Sequence, residues 1–263
     1  MIRKSGGTGG RAWMTSENGV PLELRRLWGM SEPSRLGRPA ELDVRRVVDA
    51  AVALADRDGL AGVTLPKVAK ALGFTSMSLY RYVGSKDELL VLMSDAALGV
   101  PPNSGDTDSW RDGLRQWATG HRQVYLRRPW LARVPVTGPP SGPNQIGWMD
   151  SALSALRDTG LDWAAKVGVI SLVSGYVRHS AVLSQELSDG REELSQASAE
   201  REYGRALVRL VDPARFPEAA ELFASPVFET PPGDESTEDS DFTFGLEVIL
   251  DGVAEAVRRT DHR

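Results

Sequence analysis

Cysteine is absent from all 263 residues. That excludes disulfides and every thiolate role, as nucleophile or zinc ligand, and suits a reducing cytoplasm. Histidine is nearly absent too: His121, His179 and His262 are the whole set, far apart, with no His-x-x-x-His pair. Neither a Gly-x-Ser-x-Gly turn nor a Gly-rich phosphate-binding fingerprint occurs. An enzyme needs a nucleophile with its base and orienter, or metal ligands at workable spacing. Catalysis has almost nothing to stand on here, so the sequence predicts no enzyme, no metal and no cofactor. No apolar run is expected to reach the roughly 18 residues that span a bilayer. The basic start, Met1 to Gly7, lacks the hydrophobic stretch of a secretory signal. The expectation is therefore a cytoplasmic protein with no membrane contact. No strand pattern of period two persists, so the fold class is all-α.

The net charge of −5 is unevenly spread. Residues 1–40 carry a net +4, residues 41–93 are neutral and residues 94–263 carry −9. An acidic body repels DNA, so any DNA binding must be local and oriented, with the arm and a few helix cations attracting phosphates.

Those cations fall in a patterned stretch. Thr64 suits an N-cap and Pro66 falls in the first turn of a short helix, where its missing N–H costs nothing. Val68, Ala69 and Leu72 give that helix an apolar stripe, and Gly73 ends it. After the turn, Met77, Leu79, Tyr80 and Val83 are candidates to hold down a second helix, Thr75 to Val83. Thr75, Ser76, Ser78, Arg81 and Tyr82 are left to point outward. Short hydroxyls, an arginine and a phenol are groups that reach base edges and phosphates in a major groove. Ser85 and Glu88 form a capping box for a helix over Lys86 to Leu98, with Lys86 near its positive end. Two short helices punctuated by glycine, then a third helix start, describe a helix-turn-helix DNA reader. Taken one at a time, Tyr80 reads rather as a core aromatic with a surface hydroxyl, and Arg81 and Lys86 as solvated charges, the usual fate of such residues.

Residues 44–98 resemble the DNA-binding domain of the TetR family of bacterial repressors. The likeness rests on the helix Val44 to Asp58, on Asp-Gly-Leu-Ala-Gly-Val-Thr, on Leu-Gly-Phe-Thr-Ser-Met-Ser-Leu-Tyr-Arg-Tyr-Val and on Ser-Lys-Asp-Glu-Leu. It implies that Thr75, Ser76, Ser78, Arg81 and Tyr82 face DNA, that Tyr80 binds a phosphate and that Lys86 contacts the backbone. Pro66 departs from the family, standing where many relatives carry a polar or basic contact. Contact from that helix is left to Thr64 and Lys67.

Around this domain, residues 1–40 read as a basic flexible arm. It contains a short extra helix at Pro21 to Trp28 that could dock on the first domain, and a basic linker whose Arg35 and Arg38 reach a minor groove or flanking phosphates. The helix-turn-helix domain is expected at 41–99. After the break at Val100 to Ser109, a larger helical domain follows over 106–263. Its helices are expected near Trp110 to Val124, Pro129 to Val134, Asn144 to Thr159, Asp162 to Leu187, Arg191 to Leu210, Pro217 to Ala224 and Phe242 to Arg259. Ser225 to Asp241, acidic and without lysine or arginine, reads as a surface loop or a disordered segment.

Helices 162–187 and 242–259 carry more apolar residues than one subunit can bury. This suggests a homodimer, and in the resembled family the equivalent pair forms an intersubunit four-helix bundle. The segment from Asp241 to Val253 also resembles the closing helix of a tetracycline-repressor-like C-terminal domain. Within this domain Trp117, His121, Tyr125, Trp130, Trp148, Met149 and Tyr176 are candidates to line a cavity for a flat or amphipathic small molecule. Core packing explains the same residues equally well, and explains Trp110 and Trp163 better. Tetracycline sensors hold a chelated metal on a histidine; this chain has none from Arg122 to Arg178, so a magnesium–tetracycline effector is not expected.

The expected protein is a homodimeric repressor of a palindromic double-stranded DNA operator, released by a small-molecule effector. Two alternatives stand beside it. One is a carrier or enzyme with an incidental helix-turn-helix. The other is an activator or adaptor using the acidic 225–241 loop.

Overall fold

Capping and apolar spacing set the helix boundaries in the computed structural model, which describes residues 20–30, 42–102, 107–190, 196–229 and 237–261. The helices are α1 (Leu22–Leu27), α2 (Val44–Asp58), α3 (Leu65–Leu72), α4 (Ser76–Leu79), α5 (Lys86–Leu98) and α6 (Trp110–Arg127). They continue with α7 (Pro129–Ala132), α8 (Pro143–Ala155), α9 (Trp163–Asp189), α10 (Gln196–Leu210), α11 (Pro217–Ala224) and α12 (Thr237–Asp261). No strand occurs among the described residues, and the fold is all-α. The chain divides into two compact units. One runs up to Gly99 and includes Val134–Gly147; the other comprises Val100–Arg133 and Trp148 onward.

In the first unit α2 packs on α3 and α5, and α3 on α4. Asp43 caps α2, accepting from the Arg46 N–H at 2.7 Å, and the helix buries Val47, Val48, Ala51, Leu54 and Ala55. Thr64 caps α3 through the Lys67 N–H. Gly73 closes it at φ 77°, a left-handed conformation costly to any residue with a Cβ. The unit also holds a segment from the expected second domain. Asp95 of α5 is 3% exposed and accepts from the Gln145 N–H at 2.9 Å and from Asn144 Nδ2 at 3.0 Å, which ties Val134–Gly147 to α5. Gly142 lies so close to the Asp95 carboxylate that a Cβ would clash. The division into units thus cuts across the expected 106–263 domain: α8 starts in the first unit and continues into the second.

In the second unit α9 packs against α6, α7 and α12, while α10 and α11 pack together. Arg111 and Arg115 of α6 both pair with Glu247 of α12, at 2.6 Å each. Hydrogen bonds from Arg115 and then Arg111 hold the Glu247 carboxyl down at about 2. Helix α9, with a mean hydropathy of 1.2 in its most apolar stretch, has the length and composition to cross a membrane. The expectation that no run reaches that measure is thereby corrected. Its Ile170, Val173, Val177 and Ala181 are core residues, and its cations are turned inward to carbonyls, Lys166 on Arg157 and Arg178 on Ala132.

Other boundaries move by a turn. Helix α8 ends at Ala155 rather than Thr159, where the Thr159 hydroxyl donates to the Leu156 carbonyl and closes the turn. Helix α12 starts at Thr237, so the acidic stretch is not all loop: its last residues are helical and Pro226–Phe228 forms a 3-10 turn. Helix α10 is described from Gln196, and the expected start at Arg191 lies outside the described residues.

Candidate nucleic-acid interface and aromatic site

The α3–α4 pair is built from the inside. Leu79 and Val83 are fully buried and pin α4 and the turn that follows it. The Tyr82 and Val83 N–H groups both donate to the Leu79 carbonyl, at 2.8 and 2.9 Å. Regular helix stops at Leu79 rather than running to Val83, because the chain tightens into this turn before Ser85 caps α5. Met77 and Tyr80, expected in the core, are 76% and 48% exposed. With Leu79 and Val83 filling the inner face, residues two and one positions away on so short a helix must point out.

The exposed face carries Thr75, Arg81 and Lys67, with Ser76, Ser78 and Tyr82 half-buried beside them. Thr75 and Ser78 hydroxyls lie 3.0 Å apart. Thr64 spends one lone pair of its hydroxyl on the Lys67 N–H and keeps its own proton for an acceptor. Lys86 is exposed at the first turn of α5, where free N–H groups favour an anion. The face therefore presents hydroxyls, two phenols, one guanidinium and two ammonium groups, and no carboxylate among the candidates. Arg35 and Arg38 lie outside the described residues.

The aromatic candidates separate into two groups. His121 lies between Tyr125 and Trp148, with ring centroids at 5.0 and 4.8 Å, and meets the edge of Trp117 at 5.2 Å. Trp117 Nε1 donates to the Trp148 carbonyl at 2.8 Å, which joins α6 to α8. Trp117 and Trp148 are 3% and 2% exposed. Burial pushes the His121 pKa down to about 4, so the imidazole is neutral at pH 7, and its buried Nδ1 has no hydrogen-bond partner among the described residues.

Tyr176 packs apart from this ring cluster. It stacks on Phe242 of α12 at 5.6 Å, and its hydroxyl donates to the Phe242 carbonyl at 2.9 Å. Its ring packs against Gly245, where a Cβ would collide with it. Trp130 is buried in α7 and Met149 half-buried in α8. Sequence reasoning passed over Arg122, which lies over Phe242 at 4.7 Å and pairs with Asp239 at 2.5 Å. Its place beside His121 on the apolar side of α6 was the available signal. A surface groove of about 530 Å³ runs along the other side of α6, lined by residues including Asp112, Gln116, Thr119 and Gln123. None of the seven candidates lines it.

A buried two-residue anchor, a polar outward face, glycine-closed α3 and capped α5 define a helix-turn-helix DNA-binding protein with a separate helical sensor unit. The comparisons with known proteins name the family. Residues 47–93 match the pattern described as "Bacterial regulatory proteins, tetR family", and residues 101–257 match "Tetracyclin repressor-like, C-terminal domain". The chain is 37% identical over 260 residues to the HTH-type transcriptional repressor DrrR1 of Streptomyces coeruleorubidus, covering 95% of this chain and 92% of that one. It is 33% identical over 183 residues to an HTH-type transcriptional regulator of Saccharopolyspora erythraea, covering 68% and 76%. The crystal structure of the TetR family protein ActR of Streptomyces coelicolor in complex with actinorhodin superposes with a TM-score of 0.68. That match has 26% identity and covers 83% of this chain and 98% of that one. The chain belongs to the TetR family and is a DNA-binding transcriptional repressor of the ligand-responsive type. These relatives are regulators, a class without enzymatic activity, and the carrier or enzyme alternative is not favoured.

Proposed function

We propose that the protein acts in the cytoplasm as a homodimer, with α4 and its following turn from each subunit entering successive major grooves of a palindromic operator. The observation that carries this reading is the outward polar face over fully buried Leu79 and Val83. Ser76, Ser78, Arg81 and Tyr82 read base edges. Tyr80, Thr75, Thr64, Lys67 and Lys86 hold phosphates, with Arg35 and Arg38 of the linker adding charge. Half-sites then lie about 34–36 Å apart, one helical turn. Dimerisation uses α9 and α12, whose Val167, Leu172, Phe244 and Val248 remain exposed in the single chain; burying such a face drives association.

The effector is a planar aromatic molecule bearing hydroxyl or carbonyl groups. It intercalates at the His121 cluster, where stacked rings supply faces and the unpartnered Nδ1 supplies one polar contact. Actinorhodin, held by ActR in its crystal structure, is a reasonable first probe. Release of DNA requires that the effector bind the DNA-incompetent state more tightly than the competent one.

Footprinting on genomic fragments, including the region upstream of the protein's own reading frame, at two salt concentrations tests the reading. A protected palindrome whose affinity falls steeply with salt is expected; no protected site at either salt overturns it.

A further inference from the structure

Helix α1 has only six residues and buries none of them fully, too little for a helix to persist in water by itself. What holds it is polar and specific. Arg26 Nη1 donates to both carboxylate oxygens of Glu88, at 2.9 and 3.0 Å, and Nη2 donates to the Arg81 carbonyl at 3.4 Å. The pair is well covered, with the two side chains 13% and 9% exposed. Glu88 also accepts from the Gly84 N–H at 2.7 Å, and its own N–H donates to Ser85. One guanidinium thus locks the backbone between Arg81, at the end of the recognition turn, and the first turn of α5, which carries Lys86. Two residues on, Trp28 Nε1 donates to the Ser141 carbonyl at 2.9 Å. That carbonyl belongs to the segment that Asp95 holds from the far end of α5, and α8 leads from it toward Trp148.

We infer that α1 is a strap: Arg26 is a positioning residue that fixes the recognition turn against α5 for operator binding, and Trp28 ties that turn to the segment preceding α8. Arg26 is too covered, and too fully engaged with Glu88, to serve as a phosphate contact. Its effect on DNA binding is therefore geometric, felt on the operator and not on arbitrary DNA. The inference rests on the repressor reading for its DNA readout only.

The test uses the full chain with Arg26→Ala, Arg26→Lys and Trp28→Phe. Each variant is measured for affinity to the footprinted operator and to a non-operator duplex of equal length, and for amide hydrogen exchange. Arg26→Ala is expected to lower the operator-to-non-operator ratio by about tenfold, with non-operator affinity held within about twofold, and to raise exchange at residues 80–90. Arg26→Lys keeps the charge but not the fork, and recovers part of the ratio. Trp28→Phe raises exchange at 139–146 and leaves 80–90 as in the wild type. An unchanged ratio in Arg26→Ala overturns the inference, as does an equal loss on both duplexes, which would make Arg26 an ordinary electrostatic contact. If Arg26→Ala does not fold, Arg26→Lys and Trp28→Phe decide by the same readouts. If the wild type protects no operator, the repressor reading falls, and the strap stands or falls on the exchange pattern alone.

Discussion

The DNA-reading turn and the aromatic site are built by opposite means. Around α4 the caps and turn contacts are short in sequence, Thr64 on Lys67, Leu79 on Val83 and Ser85 on Glu88, with Arg26 adding a tie from outside. The side chains proposed to meet DNA are left exposed or half-buried. Around His121 the contacts that close the site are long in sequence, α6 rings against an α8 ring, and the chemistry is buried. A surface preorganised by local caps can meet its partner without rearranging. A closed stack of rings cannot; on the reading proposed above, an effector parts Tyr125, His121 and Trp148 as it binds, and that displacement is the regulatory signal. α8 belongs to both sides of the contrast, since Asp95 holds its first turn and Trp148 lies further along it.

The contrast can be broken most forcefully at its inner anchor. Leu79→Ala removes a fully buried side chain and is expected to cost about 2–5 kcal/mol in denaturant unfolding, abolishing operator binding in gel shifts. If operator affinity survived, the outward face would not depend on the inner one.

The aromatic site answers to pH. The folded-state His121 pKa of about 4 lies below the ordinary 6.5, so the unfolded chain takes up its proton first as pH falls. Stability from this group is complete above about pH 6.5 and declines as pH falls toward 4, by at most about 3 kcal/mol. His121→Phe, which cannot titrate, should flatten that part of the pH–stability curve in urea melts. An unaltered curve would mean that the imidazole is not excluded from water.

On the DNA side, Arg81→Ala should weaken operator binding by about 1–3 kcal/mol and relax sequence preference. Lys86→Ala should weaken operator and non-operator DNA alike and reduce the salt slope by about 1. Fluorescence anisotropy over a salt series separates the two. A common pattern for both would erase the division between base reading and phosphate holding. The smallest effect is expected at Thr64→Ala, about 1 kcal/mol in stability from the lost cap, readable as a modest drop in melting temperature.

Much of the first unit was legible because its determinants lie close together in the chain. The bounds of α2 and α5, the Thr64 and Ser85 caps and the glycine stop at Gly73 all follow from residues a few positions apart. Even the docking of the Pro21–Trp28 segment was suggested by its apolar residues, although the structure attaches it by Arg26 and Trp28. Met77 and Tyr80 misled because a four-residue helix has room for one inner face, which Leu79 and Val83 fill. In the second unit the counts of tryptophan and tyrosine pointed to an aromatic site, but not to its membership. Tyr176 and Trp148 are equally aromatic on paper, and only the packing of α9 on α12 sends Tyr176 to Phe242. The association of Val134–Gly147 with α5 left only a glycine and an aspartate as traces, nearly fifty residues apart.

By itself, then, the sequence determined the helical class, the helix-turn-helix, its outward polar set and the scarcity of catalytic groups, because periodicity, caps and residue types act over one or two turns. The tertiary structure alone decided which rings surround His121, which carboxylate caps α8 and what Arg26 holds. Those choices depend on which helices meet, and that is settled by burying the whole apolar surface at once rather than by any residue's neighbours in the chain.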